Sequence, residues 1–279
     1  MAFGVISMLK SLKICMNLKL EGKTALVTGS TAGIGLAIAK SLAAEAARVV
    51  VNGRTEARVQ EALADIRRDF PTAKLEALVA DLGEAAGSTL ATQRFPNVDI
   101  LVNNLGVYAP KPFEEISDAD WLAMIETNFL SGVRLSRHYL PKMKQKNWGR
   151  IIFISSESGV NIPVEMIHYG VTKTMQIALA RGLADTTTGT GVTVNSVLAG
   201  PTRSEGVEKF LKNMAASRGV TTETIEKEFF KNVRPSSLLQ RFATSEEVAA
   251  MVTYIASPVS SATNGAALRA EGGVVRSIL

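Results

Sequence analysis

Seven short apolar runs recur along this chain, separated by longer stretches with helical periodicity. They are Thr24–Thr28, Arg48–Asn52, Leu75–Val79, Ile100–Asn103, Arg150–Ser155, Thr193–Val197 and Ala267–Ala270. A short run that is apolar throughout reads as a strand buried on both faces. Strands of that kind alternating with helices restrict the chain to an α/β, doubly wound parallel sheet with helices on both faces. The spacing predicts helices beginning near Gly33, Glu56, Glu84, Ser117, His168 and Ser245. Thr55, and Thr244 or Ser245, read as N-caps followed by glutamate. Pro141 is expected to distort or end a turn of the helix containing His138, and Gly149 to provide the turn into the next strand. No repeat, low-complexity segment or linker interrupts residues 16–279, so they are read as one domain.

Composition narrows the function. The net charge of the 279 residues is +5, with no Lys/Arg run or basic patch interleaved with aromatics, so no nucleic-acid partner is expected. The small excess would help attract an anionic cofactor. Cys15 is the only cysteine, which rules out an intrachain disulfide and fits a reducing, cytoplasmic location. With two isolated histidines, His138 and His168, there is no metal-ligand pattern. No apolar run reaches membrane-spanning length, so no membrane partner is expected. In residues 1–15 the apolar Phe3–Leu9 precedes Lys10 and Lys13, the reverse of a secretory signal. This extension reads as an upstream translation start or a disordered tail. The alternative is a short helix that touches a membrane or a partner.

Three stretches carry chemistry. Thr28-Gly-Ser-Thr-Ala-Gly-Ile-Gly35 lies between the first strand and the first helix, where glycines allow a tight turn and close backbone approach to a pyrophosphate at a helix N-terminus. At the end of the second strand, Val51-Asn-Gly-Arg54 offers no carboxylate for ribose hydroxyls, and Arg54 supplies a fork suited to a phosphate. Tyr169 and Lys173 lie one turn apart on one helix face. A neighbouring ammonium favours the phenolate, so the pair can exchange a proton with an alcohol or carbonyl oxygen.

Ser156 stands thirteen residues before Tyr169, and Asn103-Asn-Leu-Gly106 follows the fourth strand. With the glycine pattern and Tyr-x-x-x-Lys, in this order and spacing, the chain from about Leu18 onward resembles the compact, single-domain branch of the short-chain dehydrogenase/reductase family. The resemblance implies a Rossmann-type seven-stranded fold and an NADP(H)-dependent oxidoreductase interconverting a carbonyl and a secondary alcohol, with NAD as a possible second cofactor. It implies that Tyr169 is the proton donor or base, that Lys173 lowers its pKa and bonds the nicotinamide ribose, and that Ser156 polarises the substrate oxygen. Asn128 would hold a water linking the lysine to solvent. Ser155 is the competing serine, and His168 reads as a pocket-lining or partly exposed side chain.

For the cofactor, the resemblance implies Gly29, Ser30, Thr31, Gly33, Ile34 and Gly35 around the phosphates, with Arg54 at the 2′-phosphate. Asp81 and Leu82 would stand at the adenine, although Asp81 also reads as a helix cap. Asn103 would tie the central strand to the cofactor side, with Gly106 beside it. Gly200, Thr202 and Ser204 would pass the nicotinamide. Leu105, where the family carries alanine, and Ala199, where it carries proline, depart from the pattern, as does Ala32, where many NADP-using relatives carry a basic residue. Glu271, before Gly272 and Gly273, replaces the family's aspartate. Residues 203–241 correspond to the lid over the substrate, or to helices that bury a side of the sheet or a subunit contact. Relatives are mostly tetramers, so a homodimer or homotetramer is expected. The substrate is a small carbonyl or alcohol compound; similarity to 3-oxoacyl-carrier-protein reductases and to sugar or small-ketone reductases is about equal. The chain lacks the larger substrate domain of dehydratase and epimerase relatives. A nicotinamide-binding regulatory or scaffold protein on the same fold is the alternative.

Overall fold

The computed structural model describes residues 17–278, and the expectations for residues 1–15 lie outside them. Its main sheet is formed by β1 (Thr24–Val27), β2 (Arg48–Gly53), β3 (Leu75–Val79), β4 (Ile100–Asn103), β5 (Gly149–Ser156), β6 (Val192–Ala199) and β9 (Ala267–Ala270). All are parallel, in the order β3-β2-β1-β4-β5-β6-β9. Two further strands of two residues each, β7 (Thr202–Arg203) and β8 (Ala243–Thr244), pair with one another away from that sheet.

Side chains alternate between the two faces of a strand, and both faces are filled. Ala25, Val27, Val49, Val51, Val102 and Ile152 enter one core, against α1 (Gly33–Ala44), α2 (Glu56–Asp69) and α9 (Ser245–Ala256). Leu26, Val50, Leu101, Ile151 and Phe153 enter the other. There they meet α3 (Ala85–Arg94), α5 (Ser131–Gln145) and α6 (Ile167–Asp185). The chain winds outward from β1 to β3, then returns across the sheet to β4. Beyond the carboxyl ends of β1 and β4 this reversal opens a crevice.

Helix starts follow the sequence. Thr55 caps α2 by accepting from the Arg58 amide, and Thr244 caps α9 in a reciprocal box with Glu247. The helix expected from Ser117 is divided. Ser117 caps α4 (Asp118–Ile125), a π-helical turn occupies Glu126–Leu130, and α5 follows. Pro141 does not end α5, which continues to Gln145. Its position is exposed, so water can serve the carbonyl deprived of its helical donor.

Gly149 is not the turn residue. It opens β5, and the left-handed backbone belongs to Asn147, with φ of 53°. The glycine is there for space: a Cβ would lie 2.4–2.5 Å from the Met143 side chain. Residues 203–241 form α7 (Glu205–Arg218) and α8 (Thr222–Asn232), which share a small core of Leu211, Ala215, Ile225, Phe230 and Phe242. The β7–β8 pair closes this insertion at its base.

Gly149→Ala is expected to destabilise the fold by about 1–3 kcal/mol, the usual cost of overpacking. Urea unfolding measures this, and a loss below about 0.5 kcal/mol would show that Met143 yields without cost.

Candidate active site

The turn after β1 is held from both sides. Gly29 and Gly33 have φ of 59° and 54°, in the left-handed region that favours glycine. Ser30 Oγ donates to Val27 O at 2.7 Å and accepts from Asn52 N at 2.9 Å. Asn52 Oδ1 accepts from Gly29 N at 3.0 Å. From the other side, Asn104 Nδ2 donates to Thr28 O at 2.9 Å and Gly29 O at 3.0 Å. At Gly35 a Cβ would sit 2.4 Å from Gly29 O, so only glycine lets α1 approach this closely. α1 starts at Ala32 with no side-chain cap and no acidic residue in its first turn. Its first N–H groups are therefore available to an anion.

A cavity of about 320 Å³ adjoins this turn and reaches Gly106, Ser156, Tyr169 and Lys173. Ile34, Gly200, Thr202 and Ser204 also line it. Ser204 additionally caps α7, accepting from the Val207 amide. Leu105 lines the same cavity and packs on Gly29, its Cδ1 3.4 Å from where a Cβ there would lie. Arg54 is exposed and makes no hydrogen bond or ion pair within the described residues. Thr31 stands beside Gly53, where a Cβ would meet its methyl at 2.5 Å. Asp81 accepts from Gly83 N at 2.9 Å, a local turn before α3.

Other expected residues point elsewhere. Asn103 turns its side chain to Ser136, 3.3 Å away, and the tie to the glycine turn comes from Asn104. Leu82 is in the core, and the Ser30 hydroxyl is consumed inside the turn. His168 does not line this cavity; it is buried edge-on against Trp121, and burial lowers its pKa.

The catalytic candidates converge where β5 ends and α6 begins. Ser155 Oγ donates to Lys173 O at 2.8 Å, which separates its role from that of Ser156. Ser156 and Tyr169 line the same cavity, and the Ser156 hydroxyl opposes the rise in the tyrosine's pKa. Tyr169 keeps some surface open to the cavity, yet its dense surroundings push the phenol up to about 12. Lys173 is buried, and burial pushes its ammonium down to about 8. Its Nζ lies 5.7 Å from the Tyr169 ring centroid and donates to Ile154 O at 2.8 Å. Desolvation of the phenol is the leading cause of its rise, opposed by Ser156 and Arg234 rather than by the lysine.

Asn128 is in the π-turn and buried. Its side chain exchanges hydrogen bonds with both backbone polar groups of Val107, at 2.8 and 2.9 Å, and donates to Thr172 Oγ1 at 3.1 Å. Lys173 and Asn128 are also joined through a third side chain. Gln176 Nε2 donates to Asn128 O at 2.6 Å, and Gln176 Oε1 accepts from Lys173 Nζ at 3.2 Å. Sequence reasoning overlooked Gln176, although its place three residues after Lys173 on a helix is a usable signal. It also overlooked Asn104, which the alternation of strand side chains separates from Asn103.

The short chain dehydrogenase family model matches residues 23–215. The uncharacterized oxidoreductase YvaG of Bacillus subtilis is 49% identical over 263 residues, 94% of this chain and 100% of that protein. The D-beta-hydroxybutyrate dehydrogenase of Cupriavidus necator is 35% identical over 92% of this chain and 99% of its own length. Among solved structures, L-sorbose reductase from Gluconobacter frateurii, complexed with NADPH and L-sorbose, superposes with a TM-score of 0.88 at 26% identity, covering 94% of this chain and 100% of that one. The matched segment carries the glycine turn, Ser156, Tyr169 and Lys173 around one cavity, and the chain belongs to the short-chain dehydrogenase family.

Proposed function

We propose that this protein is an NADP(H)-dependent oxidoreductase that interconverts a carbonyl and a secondary alcohol. The observation that carries the reading is that Ser156, Tyr169 and Lys173 line the same cavity as the glycine turn. The cavity residues fit a dinucleotide. The uncapped start of α1 suits its pyrophosphate, Gly35 leaves the backbone room, and the unpaired Arg54 suits a 2′-phosphate. L-sorbose reductase, with NADPH bound, supports the same cofactor. When bound, the nicotinamide supplies or accepts a hydride.

The protein's own groups then handle the oxygen. The Ser156 and Tyr169 hydroxyls donate hydrogen bonds to the substrate carbonyl. In reduction, Tyr169 gives its proton to that oxygen, and its high pKa keeps the proton in place until then. The positive charge of Lys173 stabilises the phenolate left behind. Gln176 is a positioning residue that holds the ammonium between Ile154 and Asn128. By its resemblance to the family, the protein is expected to form a homodimer or homotetramer.

Tyr169→Phe is expected to keep NADPH binding, followed by nicotinamide fluorescence, while turnover falls about a hundredfold or more. Retained turnover would remove the tyrosine from the mechanism. Arg54→Asp should shift the NADPH/NADH ratio of kcat/KM toward NADH by about tenfold or more, since a charge-assisted bond is lost; an unchanged ratio would refute its role.

Reduction requires a charged Lys173, which is present below about 8 and lost above it. The rate should therefore fall on the alkaline side of about pH 8. An acceptor on the ammonium favours the charged form, so Gln176→Leu should move this limb to lower pH and Gln176→Glu to higher pH. A pH profile identical in all three proteins would make Gln176 purely structural.

A further inference from the structure

A second chamber of about 180 Å³ opens between β5 and the helical insertion. It meets the first cavity along Ser156, Tyr169, Gly200 and Thr202, so the two hydroxyls assigned to the substrate oxygen stand where the spaces join. Beyond that junction its walls are mainly carbon. Met166 lines it from just before α6, Val207 and Phe210 from α7, Phe229 from α8, and Phe242 from the chain that follows. Phe229 and Phe242 are stacked, with ring centroids 5.1 Å apart. Two charged side chains, Glu157 and Arg234, also reach the wall, and they pair with each other, Arg234 Nε donating to Glu157 Oε1 at 2.8 Å. Their charges cancel. Glu157 Oε2 is enclosed, out of a ligand's reach, and Thr202 Oγ1 donates to Gly200 O at 2.9 Å.

Two of the rings around this space are open to water. Phe210 lies outside the α7–α8 core and is 51% exposed, yet it lines the chamber. Tyr108, another wall residue, is 59% exposed, its ring edge-on to Tyr169 with centroids 6.2 Å apart. Rings left wet beside Tyr169 gain free energy when an apolar group covers them. A hydroxyl-rich substrate gains little from such a wall, and each hydroxyl taken out of water without a partner costs free energy. We infer that the substrate is a ketone, or the corresponding secondary alcohol, whose oxygen stands at Ser156 and Tyr169 and whose compact hydrocarbon chain occupies this chamber, rather than a polyhydroxylated sugar. This rests on the oxidoreductase reading above.

Reduction of acetone, 2-butanone, 2-pentanone and 2-hexanone measures what each added carbon contributes, and L-sorbose supplies the hydroxyl-rich comparison. In every case the carbonyl carbon takes the hydride from NADPH and the oxygen takes the Tyr169 proton, giving the secondary alcohol and NADP. For the full-length wild-type protein, kcat/KM is expected to rise about threefold or more for each added CH2, the gain from removing it from water. At 2-hexanone it should exceed the value for L-sorbose by about a hundredfold. Phe210→Ser should cut the ratio of 2-hexanone to acetone by about fivefold or more, and Phe210→Leu, which keeps an apolar side chain, should retain most of it. The inference is overturned by a series that does not rise, by L-sorbose used as well as 2-hexanone, or by a ratio that Phe210→Ser leaves unchanged. No turnover of any ketone by protein that binds NADPH overturns it too. Failure to bind NADPH in the fluorescence titration would instead overturn the cofactor reading beneath it.

Discussion

A lysine ammonium taken out of water must be given acceptors, and the arrangement around Lys173 follows from that requirement. Burial favours the neutral amine, so every acceptor placed on Nζ recovers part of the charged form. Here these are the Ile154 carbonyl, at the end of β5, and Gln176 Oε1, one turn further along α6. The first fixes α6 against the sheet at the height where Ser156 emerges. The second joins α6 to the π-turn through the Asn128 carbonyl. Gly106 contributes by omission, since a Cβ there would lie 3.3 Å from Nζ. Three elements distant in sequence are thus brought to one point by the needs of one charge.

The π-turn serves the same end. An ordinary α-helical continuation would keep Asn128 on the i, i+4 ladder, whereas a π-turn re-aims a residue locally and is frequent at functional sites. Here it presents the Asn128 amide to both polar groups of Val107, so the loop after β4 is fixed by bonds to an asparagine rather than by another strand. The opposite flank of that loop is held by Asn104 on the glycine turn. The crevice dictated by strand order is thereby lined with backbone held rigidly in place, without which neither a dinucleotide nor a substrate would find a fixed geometry.

The fold was largely legible in the sequence because both-face burial leaves continuous apolar runs. β3, β4 and β9 occupy the expected residues, and the other main strands differ only at their ends. That Ser156, Tyr169 and Lys173 come together at one cavity was legible for a different reason: their order and spacing resemble the family's motifs. What was not legible depends on direction. Asn103 and Asn104 are indistinguishable by composition, but successive strand side chains face opposite ways, and only the second faces the turn. Gly149 and Asn147 are both plausible turn residues, and the presence of Met143 beneath the glycine, a tertiary fact, assigns them. His168 adjoins Tyr169 in sequence yet is turned away beneath Trp121, because neighbours on a helix point about a hundred degrees apart. Glu157, adjacent to Ser156, carried no signal until Arg234 arrived from 77 residues away.

That last contact explains how the helical insertion belongs to the site. α7 and α8 bury their apolar faces mainly against one another and Phe242, so the insertion has a core of its own and owes little to the sheet. Such a unit is free to vary in its lining without unfolding the domain, provided its base is anchored. The β7–β8 pair anchors it through backbone bonds, and Leu238 and Leu239 donate to the Gly272 carbonyl beside it. Arg234 adds an anchor of a different kind, a charge that must stay paired because it is buried. Moving the insertion far enough to break that pair would strand Glu157 as well as Arg234 in a poorly hydrated place. The same pair that shapes the chamber therefore limits how far its wall can open, and it couples the position of α8 to the backbone immediately following Ser156.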